Sequence, residues 1–128
     1  MMAMRDYELK QLENGIKAFQ NDDFSLAFTN LIPLAKAGDA KAQCYIASMY
    51  QCGFGVPVDG SKAVEWYLLA AKQEEKKERV SATAYNNLGT IYSTGMPGMP
   101  AHKSLAKEYW RKAAELGFEM IPSEWYQN

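Results

Sequence analysis

The side chains of this chain that could do covalent chemistry are few: two cysteines, Cys44 and Cys52, and a single histidine, His102. The cysteines lie eight residues apart on one predicted helix, a rise of about 12 Å, so they cannot form a disulfide with each other. A nucleophilic thiol needs a base beside it, and His102 falls on a different predicted helix. We predict no catalytic residue and keep a thiol-dependent enzyme only as the last alternative.

Other patterns that suggest chemistry have simpler structural explanations. The glycines at 53, 55 and 60 follow a helix and lack the Gly-Lys-Ser/Thr order of a phosphate loop. The adjacent carboxylates of Asp22 and Asp23 are typical of a helix cap. With one histidine and no Cys-x-x-Cys spacing, the sequence offers no metal-ligand cluster. We therefore predict neither a cofactor nor a metal site.

Composition limits the class of protein. The chain has 128 residues, of which 48% are hydrophobic and 23% charged, as expected for one globular domain. Its net charge of −1 gives no basic excess for binding nucleic acid. No run approaches the roughly 20 apolar residues of a membrane span, and the first residues lack the apolar core of a secretory signal. We expect a cytoplasmic location, or a periplasmic or secreted one if a leader was removed; the sequence does not specify the oligomeric state.

The elements that carry these residues come from an internal repeat. Residues 42–53 align with 84–95 at an offset of 42, and residues 63–71 align with 106–114 at an offset of 43. A period of this length is typical of stacked helical units, each too small to bury its apolar face alone. Such stacks usually present a surface to a partner, which favours a binding protein over an enzyme.

Hydrophobic spacing and turn residues predict six helices and almost no strand. The predicted helices cover about 7–20, 23–38, 40–52, 61–71 with a charged extension through 72–79, 81–94 and 102–116, with Ser61 as the cap of the fourth. We interpret residues 1–128 as a single repeat domain: a degenerate N-terminal helix pair (7–38), a first repeat (40–80), a second repeat (81–117) and a C-terminal capping tail (118–128).

Recurrent small and aromatic residues predict how the helices pack. The small residues Ala47 and Gly89 let a partner helix approach closely. The aromatic pairs 66–67 and 109–110 fill the space between units. We expect Phe118, Ile121 and Trp125 of the tail to cover the open end of the stack. The apolar residues Leu12, Ile16 and Phe19 could extend a groove, but a core role is the favoured interpretation.

At these positions the chain resembles the Sel-one-like repeats, relatives of tetratricopeptide repeats. The first unit carries most of the family pattern in Ala42, Ile46, Ala47, Tyr50, Gly53, Gly55, Val56, Asp59, Lys62, Ala63, Trp66, Tyr67, Ala70 and Ala71. The second unit keeps the helix residues, but its loop is one residue longer and lacks the family aspartate. The resemblance implies an all-α, right-handed α-α superhelix of about three antiparallel helix pairs.

The resemblance also implies a non-enzymatic protein-binding module. In such stacks the first helix of each pair lines the concave face, and the positions left free by packing are Cys44, Ser48, Gln51, Cys52, Asn86, Asn87, Thr90 and Thr94. We expect a protein or peptide partner on this face. Family usage in bacteria suggests an immunity protein that neutralises a cognate toxin effector, and a general signalling or assembly adaptor is the alternative.

Overall fold

The computed structural model describes residues 5–73, 78–119 and 121–127, and the chain there is helical. Six α-helices follow one another: α1 (Asp6–Gln20), α2 (Phe24–Lys36), α3 (Ala40–Cys52), α4 (Gly60–Ala71), α5 (Glu78–Thr94) and α6 (Lys103–Glu115). A 3-10 turn, Ser123–Trp125, lies in the tail. The described residues contain no strand beyond an isolated bridge between Met96 and Met99. The all-α prediction is confirmed.

The helices pack in sequence order into an α-α superhelix. The hairpins α1–α2, α3–α4 and α5–α6 form three pairs, neighbouring pairs touch through α2–α3 and α4–α5, and α3 also contacts α5. One core cluster lies at the first junction, around Leu31 and Ile46, and a second lies at the next junction, around Tyr67 and Leu88. Each pair therefore completes its core against the next pair, as the repeat predicts. No helix in the described residues has the length and apolar character needed to cross a membrane.

The second helices of the two repeats begin at equivalent caps. The Asp59 carboxylate accepts a hydrogen bond from the Lys62 backbone N–H, so Asp59 caps α4 and the predicted Ser61 cap is wrong. In the longer second loop, Nδ1 of His102 accepts from the Leu105 N–H at 3.2 Å. His102 thus takes the place of the missing aspartate, which gives the single histidine a structural role.

The two repeat loops contact each other directly. The Gly60 N–H donates to the Pro97 carbonyl at 2.7 Å. A Cβ at Gly60 would lie 2.8 Å from Met96 Cγ and 2.9 Å from Met99 Cβ, so only glycine lets the loops approach this closely. The loops therefore form part of the contact between repeats.

The predicted charged extension of α4 is wrong in the part that the structure describes. The helix ends at Ala71, and the Gln73 side chain turns back to donate to the Gly38 carbonyl at 2.8 Å and to Gln43 Oε1 at 3.0 Å. These bonds tie the end of the first repeat back to its own beginning instead of continuing the helix. Residues 74–77 lie outside the described residues, and α5 already begins at Glu78, one turn before the predicted start at Ser81.

Small residues allow close packing in the second repeat, as predicted. Gly89 lies against the Trp110 indole, where an added Cβ would come within 2.8 Å of Trp110 Cγ. The Trp110 ring also meets Trp125 of the tail at a centroid distance of 4.9 Å. Ile121 is buried, whereas Trp125 remains 47% exposed, so the tail lies against the last pair but is only partly covered.

Candidate functional site

The first helices of the three pairs enclose a groove with a volume of about 300 Å³. Its lining comes from α1, α3 and α5 alone: Phe19 from α1; Lys41, Cys44, Tyr45 and Ser48 from α3; and Arg79, Val80, Thr83 and Asn87 from α5. We call this the concave groove. The helices that the repeat register assigns to a binding face are the helices that form it.

One wall of the concave groove is aromatic. Phe19 meets Tyr45 edge to face with ring centroids 5.0 Å apart, and it packs against Phe24 at 5.4 Å. Phe24 in turn stacks on Phe54 at 4.5 Å. Phe19 is therefore both a core residue and a groove residue, because the rings behind it hold it at the surface of α1.

A buried hydroxyl organises the floor of the groove. The Tyr67 hydroxyl, from α4, donates to Gln51 Oε1 at 2.7 Å and accepts from Asn87 Nδ2 at 3.1 Å. Burial raises the pKa of Tyr67, and its polar neighbours Ser48 and Asn87 lower it by less. The phenol therefore stays neutral and joins α3 to α5 beneath the groove.

The cysteine in the groove is not activated. Burial, together with a smaller effect of the nearby Asp39 carboxylate, raises the pKa of the Cys44 thiol to about 12. A nucleophilic cysteine needs the opposite shift, toward the thiolate. His102 is not among the lining residues, and the described residues hold no group of three or more His, Cys, Asp or Glu side chains placed to bind a metal ion.

The rim of the groove is exposed and positively charged. Lys41, Arg79 and Thr83 are the exposed members of the lining, and none of the lining residues is acidic. The Asp39 carboxylate is close enough to the groove to act electrostatically on the Cys44 thiol. It accepts a hydrogen bond from the Ala42 N–H at 2.8 Å and so caps α3. Two cations thus face an otherwise neutral cavity.

The structure separates the eight predicted binding residues into groups. Cys44, Ser48 and Asn87 line the groove, whereas Gln51 lies below it as the acceptor of the Tyr67 hydroxyl. The others lie outside the groove lining: Cys52 is exposed at the end of α3, Asn86 is half-buried, and the hydroxyls of Thr90 and Thr94 donate to the carbonyls of Asn86 and Gly95.

Sequence reasoning missed most of the charged and apolar lining. Lys41, Tyr45 and Ser48 follow helical spacing on α3, and Arg79, Thr83 and Asn87 follow it on α5. That signal was present for α3. For α5 the spacing was hidden, because the sequence predicts residues 72–79 as an extension of α4 and starts the fifth helix only at about Ser81. Arg79 and Val80 therefore fell outside the predicted fifth helix.

The fold and its groove define an α-solenoid repeat protein, in which stacked helix pairs present a concave surface. The comparisons with known proteins give the family: residues 40–75 and 82–118 match the Sel1 repeat. The chain belongs to the Sel1 repeat family, whose members typically mediate protein–protein interactions and are generally non-enzymatic scaffolds.

A solved structure agrees with this assignment. The chain is 31% identical to a Sel1 repeat protein from Oxalobacter formigenes and superimposes with a TM-score of 0.69 over 82% of its own length. The match spans 39% of the Oxalobacter protein. The likeness therefore covers most of this chain but less than half of that longer protein.

Proposed function

We propose that this chain is a non-enzymatic binding module that holds a partner protein in the concave groove. The observation that carries the proposal is the position of the groove, whose described lining residues all belong to α1, α3 and α5. Its walls join apolar rings to hydrogen-bonding side chains such as Ser48 and Asn87, the mixture found in protein interfaces.

The chemistry of the lining supports binding over catalysis. The buried thiol of Cys44 is held protonated, and the Tyr67 phenol is committed to two hydrogen bonds. These groups stabilise the junction between repeats and leave the rim free. A partner would gain affinity from the apolar wall and specificity from the polar rim.

The proposal is tested by blocking the rim without disturbing the core. Thr83 is an exposed rim residue, and Thr29 is an exposed residue on α2, outside the groove lining. The tagged wild-type chain and the tagged variants are each used to capture proteins from lysate of the chain's own organism. We expect the wild type to capture a stoichiometric protein partner and Thr83→Trp to capture much less of it, as measured by quantitative mass spectrometry. Thr29→Trp, the matched control, should capture that protein normally.

Equal capture by both variants, with both folded by circular dichroism, would reject the groove as the binding surface. A protein that T83W loses is then purified, and its dissociation constant is measured with each variant. Loss of affinity in T83W alone is the expected result.

A toxin-neutralising role is the narrower form of this proposal, and a signalling or assembly adaptor is the wider form. Family usage in bacteria supports the narrower form, and no feature of the groove selects a toxin over another protein. Expression of the captured protein with and without this chain tests it. Growth arrest relieved by the wild type but not by Thr83→Trp supports an immunity protein, whereas a harmless partner rejects that role.

A further inference from the structure

We propose that the concave groove recognises an acidic peptide segment: one apolar side chain enters the pocket, and a neighbouring Asp or Glu contacts Lys41 and Arg79. This inference rests on the proposed binding function and names the chemistry of the partner. It is carried by the combination of an apolar cavity with two cations on its rim.

The charge of the groove differs from that of the whole chain. The chain has 14 basic and 15 acidic residues, yet the described residues of the lining include two cations and no carboxylate. Neither Lys41 nor Arg79 forms an ion pair with any carboxylate that the structure describes. Asp39, close by, is engaged as the cap of α3. The Asp39 carboxylate keeps its charge while it accepts this capping hydrogen bond, so the described charges at the rim leave an excess of one cation.

Unpaired cations beside an apolar surface favour a carboxylate from outside. An incoming carboxylate would be attracted to Lys41 and Arg79, which lie exposed on the rim, by the modest energy of a surface charge pair, and this attraction would also steer its approach. The described lining of the groove offers two cations, and the sequence has no basic excess. This is not the extended set of phosphate contacts that nucleic acid binding uses.

The cavity itself suits an apolar anchor. Its volume of about 300 Å³ equals that of about ten water molecules. An apolar side chain that enters the cavity would displace water from the rings of Phe19 and Tyr45 and from the side chain of Val80, and this burial of apolar surface is favourable. The polar atoms of Ser48, Thr83 and Asn87 lie among these apolar groups, where a peptide backbone can pair with them.

The test uses the full chain and a displayed library of random short peptides. We expect selected peptides to share an apolar residue beside Asp or Glu, and we measure the affinity of a fluorescently labelled example by anisotropy. The double variant Lys41→Glu/Arg79→Glu should weaken its binding about tenfold, since each contact contributes a fraction of a kcal/mol and reversal adds repulsion. Added salt should weaken wild-type binding in the same direction.

The control changes the net charge equally but away from the groove. Lys36→Glu/Lys103→Glu alters two exposed lysines on α2 and α6, and we expect it to leave the affinity unchanged. Selected peptides without acids, equal weakening by both double variants, or no enrichment at all would overturn the inference.

The two proposals fail in distinguishable ways. Loss of the captured protein partner in Thr83→Trp, together with full affinity in K41E/R79E, keeps the binding function and rejects acidic recognition. Normal capture by T83W rejects the groove as a protein-binding site, whatever the peptide result. Weakening in both T83W and K41E/R79E, with normal controls, supports both proposals.

Discussion

Removal of the Tyr67 hydroxyl is the sharpest perturbation of the groove floor. The side chain is fully buried, and its oxygen joins Gln51 of α3, at 2.7 Å, to Asn87 of α5, at 3.1 Å. The Tyr67→Phe substitution keeps the ring and deletes only this oxygen. It therefore isolates the hydrogen bonds from the packing of the aromatic ring.

The expected cost follows from the two hydrogen bonds that are lost. Each contributes about 1 kcal/mol net, and Gln51 and Asn87 are half-buried, so groove water replaces part of the loss. We expect the free energy of unfolding to fall by about 1–2 kcal/mol, which for a chain of this length lowers Tm by about 5 °C. Affinity for a groove ligand should fall as well, because Asn87 loses one of its anchors.

The assay is urea unfolding followed by far-ultraviolet circular dichroism, with Tyr45→Phe as the matched control. Tyr45 lies on the same groove, and its hydroxyl has no hydrogen bond within the described residues, so we expect a change within about 0.5 kcal/mol. A double-mutant cycle with Gln51→Met should show a coupling of about 1 kcal/mol. Equal stability of Y67F and Y45F would refute the reasoning.

Three further predictions concern the repeat junctions and the thiol. Gly89→Ala should destabilise the protein although alanine normally favours helix by about 1 kcal/mol, because the new Cβ over-packs Trp110 at a cost of about 1–3 kcal/mol. Thermal unfolding measures it: a higher Tm contradicts the packing, and G89A combined with Trp110→Tyr should recover stability. His102→Asp should stabilise α6 by about 0.5 kcal/mol and His102→Ala should cost about 1 kcal/mol, because the side chain at this position caps the helix. Identical urea midpoints for all three proteins would exclude that cap. Between pH 9 and 12 the unfolded chain releases the Cys44 proton before the folded chain does, so this thiol makes stability fall with rising pH by up to about 1.4 kcal/mol per pH unit. The slope should be shallower in Cys44→Ala; an unchanged slope in C44A argues against a buried, neutral thiol.

The sequence was most informative where the two repeats agree. The offset of 42–43 residues predicted the α3–α4 and α5–α6 pairs, and the small Gly89 predicted the close approach that its contact with Trp110 confirms. These features follow from local spacing and side-chain volume, which a linear pattern records directly. The family pattern added the superhelical arrangement of the pairs.

Long-range hydrogen bonds were outside the reach of that pattern. Gln51 and Asn87 occupy free positions in the repeat register, yet both are engaged by the hydroxyl of Tyr67, a core residue of the intervening helix. Helical periodicity predicts which face of a helix a side chain occupies, but it does not predict which side chain of another helix will bond to it. The same limit concealed His102, because its capping role depends on the geometry of the loop before α6 as well as on its side chain.

The linker between the repeats has a consequence for the groove. Ala84 follows Ala71 by thirteen positions, whereas Ala42 follows Ala35 by seven, and α5 accordingly has 17 residues where α3 has 13. The first turn of α5 supplies Arg79 and Val80 to the lining. The departure from regular repeat spacing therefore extends one wall of the groove and places a cation on its rim. Val80 also packs against the core of the repeat junction, whereas Arg79 is exposed, so Arg79 is the residue of this turn that departs from a generic repeat toward a particular ligand.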